Sequence, residues 1–160
     1  TFNQLSKYYI HLLQHHPIYS IEDPFDQDDW AAWKAFTKQT KKNKLNVVAD
    51  DFLTTNPERI KKAVKRNSCN ALLVKPNQIG TITETLQAIQ LAKKAKWDTI
   101  ISHRSGDSSD PFIADLAVGT ASKFIKTGSP SRSERLAKYN RLLKIEQELG
   151  KKAIFQGKNF

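Results

Sequence analysis

Cysteine is nearly absent. Cys69 stands alone among 160 residues, which excludes an intramolecular disulfide framework and suits a reducing, cytoplasmic compartment. Long apolar runs are missing too. No stretch approaches the ~18 consecutive apolar residues of a membrane span, so no span is expected. The opening residues lack the basic and apolar regions of a signal peptide. Several catalytic signatures are also absent: there is no Walker loop, no HExxH helix and no nucleophile elbow. What is present is 39% hydrophobic residues, enough for one domain with a real core.

The net charge is +10, which fits either nucleic acid or an anionic small substrate. The distribution speaks against the first. Residues 1–30 hold one lysine and five acids, Glu22, Asp23, Asp26, Asp28 and Asp29. The basic residues come later: Lys41, Lys42 and Lys44, then Lys61, Lys62, Lys65 and Arg66, then Lys93, Lys94 and Lys96. Each group falls in or just after a predicted helix, where solvated outer faces account for it. Nucleic acid is therefore not the expected partner.

Helix and strand patterns alternate along the chain. Leu5, Tyr8, Tyr9, Leu12 and Leu13 recur at helical spacing until Pro17 stops the helix. Segments 18–22, 45–49, 71–75, 99–102 and 124–127 read as strands. The helices between them span 28–42, 56–66, 81–96 and 113–122, and a long one closes at Gly150. Asn56 and Pro57 form a cap and first helical residue. Thr81 with Glu84, and Ser131 with Glu134, have the spacing of capping boxes. Trp30, Trp33, Leu86 and Leu142 are expected to turn toward the sheet. Strands separated by helices imply parallel βαβ units.

The last ionisable residues of the five strands are Glu22, Asp50, Lys75, His103 and Lys126. Their spacings are 28, 25, 28 and 23 residues, about one βα unit each. A parallel strand buried on both faces has little reason to end in a charge, so five in succession point to a shared polar rim. In a (β/α) barrel that rim is the C-terminal face, where chemistry sits. A doubly wound sheet is the alternative on length, but it usually brings a glycine-rich loop after the first strand. Here Asp-Pro-Phe-Asp follows Glu22. The expected fold is α/β, about five parallel βα units of an incomplete (β/α) barrel; the resemblance described below makes it the C-terminal portion of a (β/α)8 barrel.

Glu22 and Asp50, at adjacent strand ends, suit a hard divalent cation such as Mg²⁺, which takes oxygen ligands. Asp23 and Asp51 follow them directly and could cap helices or accept backbone N–H bonds. Lys75 ends an apolar strand, and Pro76 keeps it extended. Burial and neighbouring positive charge depress a lysine's pKa and suit it to serve as a general base. Ser102, His103, Arg104, Ser105 and Gly106 combine hydroxyls, a guanidinium fork and a tight turn, a plausible phosphate cradle. Lys126 adds a second cation. Two cationic strand ends beside two acids imply a substrate with more than one anionic group. His11 and His15 are four apart on a helix, but no third metal ligand accompanies them, and an exposed face explains them better.

These segments together resemble the enolases. Segment 20–25 (Ser-Ile-Glu-Asp-Pro-Phe) is similar to the family's metal-ligand strand, and 48–51 (Val-Ala-Asp-Asp) to the next, with the turn at 54–57 following. Segment 73–80 resembles the strand bearing the catalytic lysine. Segments 102–106, 112–115, 125–128 and 131–140 match in the same order, so the resemblance covers essentially the whole chain.

The resemblance implies Glu22 and Asp50 as Mg²⁺ ligands and Lys75 as the base that removes the proton α to the substrate carboxylate. It implies Lys126 near that carboxylate, stabilising the enolate. Ser102, His103, Arg104 and Ser105 would bind substrate, the last two at its phosphate. The implied reaction is the reversible dehydration of 2-phosphoglycerate to phosphoenolpyruvate in glycolysis and gluconeogenesis, catalysed by a cytoplasmic homodimer. Residues 1–160 would be a single segment of the barrel domain, without the N-terminal capping domain and first barrel strands. A third metal-ligand carboxylate and the glutamate that protonates the leaving hydroxide would lie there, so the isolated segment is expected to be inactive. Asp107 stands where the family commonly has glutamate. The alternative is a truncated or non-catalytic relative that binds a protein or nucleic-acid partner.

Overall fold

The computed structural model describes residues 1–155 and Gly157. Its order is α1 (Phe2–His15), β1 (Ser20–Glu22), α2 (Trp30–Thr40), β2 (Asn46–Ala49), α3 (Pro57–Arg66), β3 (Ala71–Val74), α4 (Pro76–Ile79), α5 (Ile82–Lys94), β4 (Asp98–Ser102), α6 (Phe112–Gly119), β5 (Phe124–Lys126) and α7 (Ser133–Leu149). Single 3-10 turns follow α2 and α7. The strands run in sheet order β1-β2-β3-β4-β5, which is the parallel βαβ arrangement expected from the alternation. By contacts the chain divides into two compact units, Thr1–Thr99 and Ile100–Phe160.

In the first unit, β1 pairs parallel with β2, Glu22 lying opposite Val48, and β2 pairs parallel with β3. Every residue of β2 and β3 is buried. That pattern belongs to parallel strands covered on both faces and explains their continuous apolar runs. Asn70 ties the strand starts together. Its Oδ1 accepts the Val47 N–H at 2.7 Å, and its Nδ2 donates to Leu45 O at 2.8 Å.

Helix ends follow the sequence where a local cap exists. Asn56 accepts from Glu58 N and Arg59 N, Asp29 accepts from Ala32 N, and Thr81 accepts from Glu84 N. Each satisfies a backbone donor that a helix start leaves orphaned. Trp33 and Phe52 are fully buried and stack at 4.1 Å between centroids with a 7° interplanar angle. Tyr9, Phe25 and Phe36 meet at 5.3–6.1 Å, joining α1 to α2. Trp30 is only half-buried. Lys62 Nζ sits 4.0 Å from its ring, with the Arg59 and Arg66 guanidiniums at 5.4 and 5.6 Å. Part of the basic charge of α3 is thus spent on an aromatic face. Cys69 is buried, which pushes its thiol well above the ordinary value, with the Asp23 charge adding to the effect.

Leu86 departs from expectation: it is exposed, and α5 buries Thr85, Ala88, Ile89 and Ala92 instead. The buried stripe of α5, which packs on α3 and β3, thus runs one position earlier than expected.

In the second unit, β4 and β5 pair parallel, Ser102 opposite Lys126, and α6 packs on α7. Ile101, Ala114, Leu116, Ala117 and Ile145 are buried, while Leu142 is half-buried. Arg141 grips Asp115 through Nε at 3.0 Å and Nη2 at 2.6 Å. The expected Ser131–Glu134 capping box does not form. Arg132 is the N-cap residue of α7, at φ 70°, with no side-chain cap. The Glu134 carboxylate takes the Arg132 guanidinium at 2.7 Å instead of reaching back to a backbone N–H.

Candidate active site

Within each unit the candidate residues stand at or just after the C-terminal ends of its strands. Glu22 is the last residue of β1, and Asp50 directly follows β2. Lys75 directly follows β3, Ser102 ends β4 with His103 next, and Lys126 ends β5.

In the first unit, Asp23, Asp50 and Asp51 form a carboxylate group whose ligand oxygens lie within 4.8 Å of one another. Glu22 is exposed at the strand end beside it. Asp23 has φ 44°, a left-handed conformation that aspartate tolerates better than most residues. Its Oδ1 accepts the Asp50 N–H and its Oδ2 the Asp51 N–H, each at 2.9 Å. Asp23 thus clamps the end of β2 to the end of β1, and the sequence had allowed this backbone-accepting role. Burial raises its pKa, opposed by those two backbone bonds.

Asp50 is the buried member, 5% exposed. Its Oδ2 accepts an ion-paired hydrogen bond from Lys75 Nζ, with side-chain exposures of 12% for Lys75 and 8% for Asp50. Among the described residues its Oδ1 is buried without a hydrogen-bond partner. The neighbour of Lys75 is therefore a carboxylate. The loop after Asp50 is tightly held. Leu53 N and Thr54 N both donate to Asp50 O, and Thr55 Oγ1 accepts the Lys75 N–H at 2.9 Å. Thr54 and Thr55 take φ 49° and 57°, a conformation β-branched residues rarely adopt.

In the second unit, the 102–110 loop is built on α7. His103 N donates to Lys126 O at 2.9 Å. Ser102 is buried and its hydroxyl donates to His103 O at 2.9 Å. Arg104 and Ser105 are exposed. Two buried cations of α7 hold the loop from below. Arg135 donates to His103 Nδ1 at 2.6 Å, Arg104 O at 2.9 Å and Ser105 O at 2.8 Å. Lys138, fully buried, donates to Ser108 O and Glu134 O and lies 3.5 Å from Asp107 Oδ1. Asp107 also accepts from Arg104 N and Ser108 N. Burial lowers the pKa of His103, and the Arg135 charge lowers it further.

The model of the enolase C-terminal TIM barrel domain family matches residues 1–160. The chain belongs to the enolase C-terminal TIM barrel domain family. In this enolase domain the Asp23–Asp50–Asp51 group is an acidic site of the kind a hard cation takes. The donors are all carboxylate oxygens, and the unpartnered Asp50 Oδ1 is a buried acceptor that a cation would satisfy. Among the described residues no helix is long and apolar enough to cross a membrane. Sequence reasoning assigned no part to Arg135, Lys138 or Tyr139. Their signal was present as i, i+3, i+4 spacing, which puts all three on one face of α7.

Proposed function

We propose that this enolase-family chain is part of a lyase that reversibly dehydrates 2-phosphoglycerate to phosphoenolpyruvate with Mg²⁺. The observation that carries the reading is the pairing of Lys75 with Asp50, a candidate base beside a buried carboxylate that keeps one oxygen unpartnered. Glu22 and Asp50 would hold Mg²⁺, which when bound supplies a Lewis acid that withdraws charge from the substrate carboxylate.

The remaining work falls to side chains of this chain. Lys75, once unprotonated, takes the proton α to that carboxylate. Its contact with Asp50 fixes Nζ in place before substrate arrives, so positioning costs less at the moment of reaction. Lys126 sits by the substrate carboxylate and balances the negative charge that grows as the proton leaves. Arg104 and Ser105 bind the phosphate, Arg104 through a charge-assisted fork, while Ser102 and His103 complete the substrate contacts. Residues 1–160 are one segment of the barrel domain. A third metal carboxylate and the leaving-group acid come from sequence outside it, and the working form is a cytoplasmic homodimer in glycolysis.

The test is proton exchange at the substrate's α-carbon, followed by NMR in deuterated water with the complete chain. Lys75→Ala should reduce exchange by roughly 10²–10⁴-fold, and the 160-residue chain alone should show no turnover in a coupled phosphoenolpyruvate assay. Exchange near the wild-type rate in folded Lys75→Ala overturns the base assignment. Absence of turnover in the complete wild-type chain overturns the reaction.

A further inference from the structure

Arg135 is 6% exposed and spends its guanidinium on the loop after β4. Nη1 lies 2.6 Å from His103 Nδ1 and 2.9 Å from Arg104 O, and Nη2 lies 2.8 Å from Ser105 O. A guanidinium donates only and does not lose its proton in proteins. The atom it meets on His103 must therefore be the lone-pair nitrogen. With Nδ1 accepting, a neutral imidazole carries its proton on Nε2.

The packing beneath this contact admits no slack. A Cβ on Gly128 would lie 3.0 Å from Arg135 Cδ and 3.2 Å from His103 Cε1. Gly128 also has φ +82°, which favours glycine. Tyr139 donates its hydroxyl hydrogen bond to Gly128 O and holds that floor in place. The charged groups acting on His103 are Arg135, Lys126 and Lys138, opposed by Asp107. Three cations against one carboxylate resist protonation of the ring.

We propose that Arg135 is a positioning residue that holds His103 as a neutral imidazole with its proton on Nε2, so that His103 meets an anionic substrate as a hydrogen-bond donor. The same guanidinium neutralises the Arg104 and Ser105 carbonyls, whose oxygens would otherwise repel an anion at this loop. The proposal rests on the reading above, in which residues 102–105 bind the substrate.

Long-range proton–nitrogen NMR on the complete chain, with nitrogen-15-labelled histidine, reads the tautomer and titration midpoint of His103 without substrate. Wild type should show the Nε2–H form at neutral pH. Arg135→Lys keeps a donor that cannot accept and should retain that form. Arg135→Met should populate both tautomers, raise the midpoint by about one unit and raise the KM for 2-phosphoglycerate roughly tenfold. An Nδ1–H or imidazolium form in the wild type at neutral pH overturns the proposal, and that measurement needs no variant. So do an unchanged tautomer and midpoint in folded Arg135→Met. If His103 behaves as expected while wild type leaves 2-phosphoglycerate untouched, the substrate assignment fails and the positioning of His103 stands.

Discussion

Lys75 pairs with one oxygen of the Asp50 carboxylate, while the other oxygen, Oδ1, is buried without a partner among the described residues. The first contact balances two charges that are almost out of water. The second is a buried acceptor of the kind that costs about 1–3 kcal/mol when unsatisfied.

An unsatisfied carboxylate oxygen in an acidic group gives a direct test of the cation. Mg²⁺ at ten times its Kd should stabilise the folded chain by about 1.4 kcal/mol, read as a higher urea midpoint. Asp50→Asn should lose that response. An equal response in the variant would place the cation elsewhere.

The ion pair itself predicts coupling. Asp50→Asn leaves the Lys75 ammonium nearly buried without its counter-charge and should cost about 3 kcal/mol. Adding Lys75→Met should recover a large part of that loss, because the stranded charge is gone. Additive losses across the double-mutant cycle, measured by urea unfolding, would show that the two side chains act independently.

Thr54 predicts a gain. Its φ of 49° is strained for a β-branched residue, by ~1–2 kcal/mol. Among the described residues its hydroxyl donates to the adjacent Leu53 carbonyl. Thr54→Asn should raise stability by about 1 kcal/mol, seen as a higher thermal midpoint. A lower midpoint would mean that the side chain contributes something else.

The stack of Trp33 on Phe52, both fully buried, ties α2 to the loop that follows β2. Trp33→Ala should cost about 3–5 kcal/mol. A loss below about 1 kcal/mol in chemical denaturation would contradict that placement.

His103 gives a pH dependence. Its folded pKa lies below the ordinary 6.5, first through burial and then through Arg135. The folded state therefore binds this proton more weakly than the unfolded chain does. Stability from this group is full above 6.5 and is lost as pH falls through and below that value. Urea midpoints should drop as pH falls below the ordinary 6.5, and His103→Asn should flatten the drop. An unchanged slope in the variant would remove His103 as its source.

Local patterns were legible where the deciding atoms are neighbours in sequence. Asn56 before Pro57 caps α3, and Thr81 caps α5, because each side chain reaches a backbone N–H two or three residues away. The apolar runs of β2 and β3 announced strands covered on both sides. The charged residue closing each run placed Glu22, Asp50, Lys75, His103 and Lys126 at strand ends. Two local patterns misled. Ser131 and Glu134 have capping-box spacing, yet Glu134 found Arg132. Leu86 continues a helical stripe, yet smaller neighbours on α5 took the buried face.

By itself the sequence determined the alternation of strands and helices, their parallel order and the residues that end each strand. These follow from periodicity and short-range sterics, which depend on residues a few positions apart. Tertiary structure alone decided the pairings that give those residues their chemistry. Asp23 clamps the backbone of Asp50 from 27 positions away, Lys75 reaches Asp50 across 25, and Arg135 takes His103 across 32. Each of these bonds joins separate βα units. No local pattern can specify it, because its strength comes from burial and from the approach of charges that only packing brings together.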